Sequence, residues 1–129
     1  MKNYLFIILF IFGFSSSVIA GPQSLITVIS KGIESSDATL FSVYLNDFID
    51  VTLEEKTQTY SRKQATLVID SYLKKLKVTS FRLKSSGNSG NNYYYIAEIN
   101  TKNRVYIAYF FSKKAQNKES IIEIRIKKN

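Results

Sequence analysis

Asn92-Tyr-Tyr-Tyr-Ile-Ala-Glu-Ile-Asn-Thr-Lys-Asn-Arg-Val-Tyr-Ile-Ala-Tyr-Phe-Phe-Ser112 holds two aromatic-rich runs joined by a short polar link, and its reading decides the fold. Each run alternates with period two, so each reads as a strand. Asn100-Thr-Lys-Asn103 reads as a tight four-residue turn, which makes the strands antiparallel neighbours. With Ile99 set opposite Val105, Ala97 meets Ile107, Tyr95 meets Tyr109 and Tyr93 meets Phe111, all on one face.

Outward from this pair, the ladder extends through Phe81 and Leu83 on one side and Ile122, Ile124 and Ile126 on the other. The strand segments are 79–86, 92–99, 104–112 and 119–127, with a glycine- and asparagine-rich hairpin loop at 86–92 and a last connection at 113–118. Short links predict an antiparallel meander. None of the residues on the proposed core face is charged, so a helical layer should cover it. The opposite face would carry Arg82, Lys84, Tyr94, Ile96, Glu98, Tyr106, Ala108, Phe110, Ile121, Glu123, Arg125 and Lys127. A wet sheet face is ordinarily polar throughout. Here an apolar and aromatic centre is rimmed by charge.

Before residue 77 the period is helical. Leu25, Ile26, Ile29 and Ile33 form one stripe, with Gly32 expected to weaken the last turn. Asp37 is placed to cap a second helix with the stripe Leu40, Phe41, Tyr44 and Leu45. Ile49, Val51 and Leu53 alternate with polar residues as a strand. Ser61-Arg-Lys-Gln64 matches a capping box opening a third helix, whose stripe is Ala65, Ile69, Tyr72, Leu73 and Leu76.

Residues 1–20 read as an export leader. Lys2 gives a basic start, Tyr4 to Phe14 an apolar run and Val18-Ile19-Ala20 a peptidase site. The run is shorter than the roughly 20 residues a membrane-spanning helix needs. The expectation is therefore a single domain over 21–129, exported to periplasm or medium, with no membrane span in the mature chain.

The 129-residue chain has no cysteine, histidine or tryptophan. That excludes disulfides, the common zinc and transition-metal sites, a cysteine nucleophile and a Ser-His-Asp triad. No cofactor or metal is expected. The formal charge of +8 favours anionic polymers as partners. Nucleic acid is not expected, because the strands lack the aromatic RNA-binding signature. Asp47, Asp50 and Glu98 are the carboxylates available for acid–base work, but no two stand at a diagnostic spacing. Tyr44, Tyr72, Tyr95 and Tyr109 point towards the helix–sheet interior and are candidates for a pocket taking a small apolar ligand. Arg82, Lys84, Tyr94, Ile96, Tyr106, Phe110 and Ile121 are candidates for an interface with a second copy or another exported protein.

The order helix, helix, strand, capped helix and four-strand meander resembles the nuclear-transport-factor-2-like cone, in which a curved antiparallel sheet wraps a long helix. More closely, the chain is similar to a family of small exported bacterial proteins of unassigned function. The similarity rests on Tyr60-Ser-Arg-Lys-Gln-Ala65, Phe81 through Gly87, Tyr94-x-Ile96-Ala97-x-Ile99-x-Thr101 and Ile121-x-x-Ile124-x-Ile126. It implies an α+β fold with N-terminal helices on a four- to six-stranded sheet. Many relatives carry a histidine before the glycine turn, where this chain has Ser85. The cystatin-like arrangement is the nearest alternative, but its glutamine-x-valine-x-glycine inhibitory motif is absent. The reading as a whole is an exported, non-catalytic binding or interaction module. In an exporting bacterial host, intact-mass spectrometry should find the product beginning at Gly21; an uncleaved chain would refute the leader.

Overall fold

The computed structural model describes residues 24–129, so the leader and its cleavage site lie outside the described residues. The elements are α1 (Leu25–Glu34), two 3-10 turns (Ala38–Leu40 and Ser42–Tyr44), β1 (Leu45–Leu53), β2 (Lys56–Ser61), α2 (Arg62–Leu76), β3 (Val78–Ser89), β4 (Asn92–Thr101), β5 (Val105–Ala115) and β6 (Lys118–Lys128). The six strands form one sheet in the order β2-β1-β6-β5-β4-β3. It is mixed, because β1 runs parallel to β6. The expected all-antiparallel sheet holds only for the hairpin-linked pairs. β1 enters before α2, and α2 returns the chain to the far edge, so β1 meets β6 without a hairpin between them.

Two helices pack on one face of this sheet. Ile29 and Ile33 of α1, Ala65, Ile69 and Leu73 of α2, and Phe41 of the first 3-10 turn's end all bury completely there. The Ser61 hydroxyl accepts from the Gln64 N–H at 3.3 Å, which starts α2 at the capping signal. Its last turn ends at Lys77 in the left-handed conformation (φ 56°).

The expected second helix is instead the pair of 3-10 turns. Asp37 does cap, accepting from the Thr39 N–H at 3.1 Å. The segment, however, is tied to α2 rather than to its own helical ladder. Ala38 N–H donates to Asp70 Oδ1 at 3.0 Å and Arg62 Nε donates to the Leu45 carbonyl at 2.8 Å. Phe41 and Leu45 are buried, while Leu40 and Val43 face solvent. β2 was not expected, since Lys56-Thr-Gln-Thr-Tyr-Ser61 has no apolar alternation. It is held as an edge strand by cross-strand polar pairs, Thr52–Thr57 at 2.8 Å and Thr59–Asp50 at 2.5 Å.

The largest correction concerns β5. Thr101 N–H donates to the Arg104 carbonyl at 2.9 Å, and Thr101 Oγ1 accepts from Arg104 N–H at 3.1 Å. The turn is thus the two residues Lys102-Asn103, and Ile99 pairs with Tyr106 rather than Val105. Slipping a strand by one residue reverses its faces. Tyr106, Ala108, Phe110 and Ser112 therefore join the core, and Val105, Ile107, Tyr109 and Phe111 turn outward. A second shift occurs in β6, where the ladder steps between Phe111–Glu123 and Ser112–Ile121. This bulge leaves Ile122 exposed and buries Ile121, the reverse of the expected placement. Leu83 lies on the core face as expected, yet is exposed on edge strand β3.

Gly32 is a contact requirement rather than a weak point. A Cβ there would sit 2.4 Å from Phe41 Cδ1. Helix propensity alone would make Gly32→Ala stabilising by about 1 kcal/mol. Overpacking should win, lowering stability by about 1–3 kcal/mol in urea denaturation. Gly32→Ala combined with Phe41→Leu should recover part of that loss. A stabilised Gly32→Ala would mean that Phe41 does not seat against α1.

Candidate functional site

The outer face of the sheet faces away from both helices, and among the described residues no helix covers it. Its centre comes from three cross-strand pairs of β4 and β5: Tyr94 with Phe111, Ile96 with Tyr109, and Glu98 with Ile107. The Tyr94 ring lies over Gly87 of β3, where an added Cβ would come within 2.6 Å of its hydroxyl oxygen. Gly87 is thus part of a strand that supports an aromatic ring, and the hairpin loop shrinks to Gly90-Asn91.

Charged groups frame this centre on both flanks. On β6 the Arg125 guanidinium stands 5.8 Å from the Phe111 ring centroid and the Lys127 ammonium 5.4 Å from that of Tyr109. Such contacts contribute about 0.5–1 kcal/mol at exposed sites. Arg125 also pairs with Glu123 at 2.5 Å. On the β3 side, Glu98 accepts from Arg82 at 3.0 Å and from Lys84 at 2.9 Å. The Lys84 hydrogen bond, with Arg82 adding to it against a burial penalty, holds the Glu98 carboxyl below the usual glutamate value.

Of the interface candidates, Arg82, Lys84, Tyr94 and Ile96 lie on this outer face. Tyr106, Phe110 and Ile121 do not, being 8 %, 0 % and 0 % exposed in the core. Ile107, Tyr109 and Phe111 take their places. The hydrophobic pattern could not reveal this, because both faces of β5 are apolar. The useful signal was Thr101, whose hydroxyl and amide can close a two-residue turn.

The four pocket candidates do not converge. Tyr44 lines a half-open cleft of about 510 Å³ together with Tyr93. Tyr95 lies beneath the helices and donates to both carboxylate oxygens of Glu119, at 2.7 and 3.0 Å. Tyr72 lines a separate cleft with Tyr106 and Glu54, its hydroxyl buried without a hydrogen-bond partner. Tyr109 is on the outer face, a correction that follows from the β5 register. Burial, reinforced by the Glu119 hydrogen bond and charge, pushes the Tyr95 phenol well above its ordinary value, and the Ser112 hydroxyl acts weakly in the opposite sense. Burial does the same to Tyr72, helped by Glu54 and Tyr106.

The three candidate carboxylates lie outside the helix–sheet interior. Asp47 is exposed and bonded to Arg62 at 3.0 Å, Asp50 is exposed and bonded to Thr59, and Glu98 is on the outer face. Among the described residues no helix is long and apolar enough to cross a membrane.

Helices on one face of an open six-stranded sheet define a nuclear-transport-factor-2-like fold, and solved structures agree. Residues 26–127 match the domain of unknown function DUF4783, and the chain belongs to that family. The chain is similar to a DUF4783 family protein from Bacteroides uniformis, at 23% identity and a TM-score of 0.77 over 82% of this chain and 98% of that one. It is also similar to one from Bacteroides ovatus, at 22% identity and 0.75 over 79% and 93%. An NTF2-like protein of unknown function from Cytophaga hutchinsonii shares the fold at 9% identity and 0.57 over 81% and 87%. No curated protein matches the chain.

Spectrophotometric titration should show Tyr72 and Tyr95 ionising later than an ordinary phenol, and Tyr95→Phe should remove one late proton. In both, the folded state favours the neutral phenol. Their contribution is therefore complete below the ordinary phenol value of 10.0 and is lost as pH rises through the higher folded value. Stability should fall above pH 10, and the absence of any late-ionising phenol would contradict this arrangement.

Proposed function

We propose that this domain is an exported, non-catalytic interaction module that pairs with a second copy of itself through the outer sheet face. The observation that carries the reading is the uncovered centre of Tyr94, Ile96, Ile107, Tyr109 and Phe111, framed by Arg82, Lys84, Arg125 and Lys127. Aromatic residues and arginine are enriched in the cores of protein interfaces, and lysine and acids are depleted there. On this face the aromatics are central, and Lys84, Glu98, Lys127 and Glu123 sit at the margin. A two-fold interface places the same patch on both partners and so must be self-complementary. This patch carries acids and bases on both flanks, Glu98 with Arg82 and Lys84, and Glu123 with Arg125. Rotating one copy about a two-fold axis can set each acidic group against a basic one.

Analytical ultracentrifugation tests the pairing. The protein should sediment as a dimer at tens of micromolar, and Ile107→Lys combined with Tyr109→Lys should give a monomer with unchanged circular dichroism. Leu67→Lys, an exposed position on α2 on the other side of the sheet, should leave the dimer intact. A monomeric native protein, or a dimer that survives the double substitution, would overturn the proposal.

A further inference from the structure

The cleft at the other end of the molecule, on the helix-bearing face, holds charges that do not neutralise one another. Lys114 of β5 and Glu119 of β6 are direct cross-strand partners, so their side chains leave the sheet on the same side. Opposite charges in that position ordinarily pair. Here Glu119 turns inward to the Tyr95 hydroxyl, and among the described residues neither Lys114 nor Lys118 forms an ion pair.

The sequence explains the diversion. Tyr95 is on β4 and Glu119 on β6, with β5 between them. Tyr95 is level with Phe110 of β5 and Glu119 with Lys114; the inward-facing β5 residue between those levels is Ser112, fully buried and small enough for the phenol to reach over it. Tyr95 offers one proton to both carboxylate oxygens, which fixes the group while leaving acceptor capacity unused. The hairpin tip beside Lys114 is a two-residue turn whose Gln116 and Asn117 both have positive φ (51° and 61°), and Lys118, paired with Ala115, leaves the sheet on the other side. Leu25 at the start of α1, Val43, and the rings of Tyr44 and Tyr93 provide an apolar wall. The volume, about 510 Å³, falls within the range of small-molecule sites.

We propose that this cleft binds a small zwitterion of the α-amino acid type with an apolar or aromatic side chain. The ammonium meets Glu119, the carboxylate meets Lys114, and the side chain lies against the apolar wall. A simple anion would be repelled by Glu119 and a simple cation by Lys114. A ligand carrying both charges a few ångströms apart satisfies both groups. The site is separate from the outer face, so its failure and that of the dimer are read by different measurements.

Isothermal titration calorimetry with the native protein tests this without any variant. L-Phenylalanine should bind, and N-acetyl-L-phenylalanine, which lacks the ammonium, and L-phenylalaninamide, which lacks the carboxylate, should each bind at least about tenfold more weakly. Glu119→Gln should abolish the discrimination against the acetylated probe. Lys114→Met should abolish the discrimination against the amide, and Lys118→Met, on the other side of the sheet, should leave it in place. Tyr95→Phe, which frees Glu119 to pair with Lys114, should weaken L-phenylalanine several-fold. No binding of L-phenylalanine at millimolar concentration, equal binding of all three probes, or lysine-dependent binding of galacturonate in place of the amino acid would each overturn the proposal.

Discussion

Thr101 closes the link between β4 and β5 with its amide and its hydroxyl, and the register of that pair follows from where the closure falls. A strand has two faces and no intermediate setting, so moving the closure by one residue would exchange every inward and outward side chain of β5. In most sheets the hydrophobic pattern enforces the register, because one setting would expose the apolar set. β5 lacks that safeguard. Val105, Ile107, Tyr109 and Phe111 are as apolar as Tyr106, Ala108, Phe110 and Ser112. The turn must therefore supply the specificity, and Lys102-Asn103 between Thr101 and Arg104 does so.

The consequences reach both surfaces. With Phe110 inward, its ring meets Phe81 edge-on at a centroid distance of 6.4 Å, joining the centre of the sheet to its edge strand. With Ser112 inward, the space between Tyr95 and Glu119 stays open. The same register sends Tyr109 and Phe111 outward beneath Lys127 and Arg125. One turn thus sets the packing of the interior, the geometry of the cleft and the composition of the outer face.

What was legible in the sequence is whatever a local pattern dictates. The α2 stripe and its Ser61 cap, the α1 stripe and the four long strands all rest on spacing within one segment, and the structure has them in place. Features decided by contacts between segments were not legible. Gly32 looked like a defect until Phe41 was seated against it, and Asp37 to Tyr44 looked helical because its bonds to Asp70 and Arg62 cannot be seen locally. β2 has no apolar face of its own and exists by pairing with β1. The bulge that exchanges Ile121 and Ile122 follows the same logic, since two adjacent isoleucines give no hint of which one is buried. For the candidate surface, Arg82, Lys84, Tyr94 and Ile96 followed from β3 and β4 alone, whereas the β5 contribution depended on the turn.

The two surfaces lie on opposite sides of the same three strands, which limits how each can be built. On β4, Tyr95 serves the cleft while its neighbours Tyr94 and Ile96 serve the outer face. On β6, Glu119 faces the cleft while Glu123 and Arg125, beyond the bulge, face outward. Without the extra residue at the bulge, Ile124 and Ile126 could not share the inner face with Ile121, and one of the two charged sets would have to enter the core. Burying an unpaired charge costs several kcal/mol, far more than a bulge. The irregularity in β6 therefore lets one strand present charge to solvent on both sides of the sheet while keeping three isoleucines under the helices.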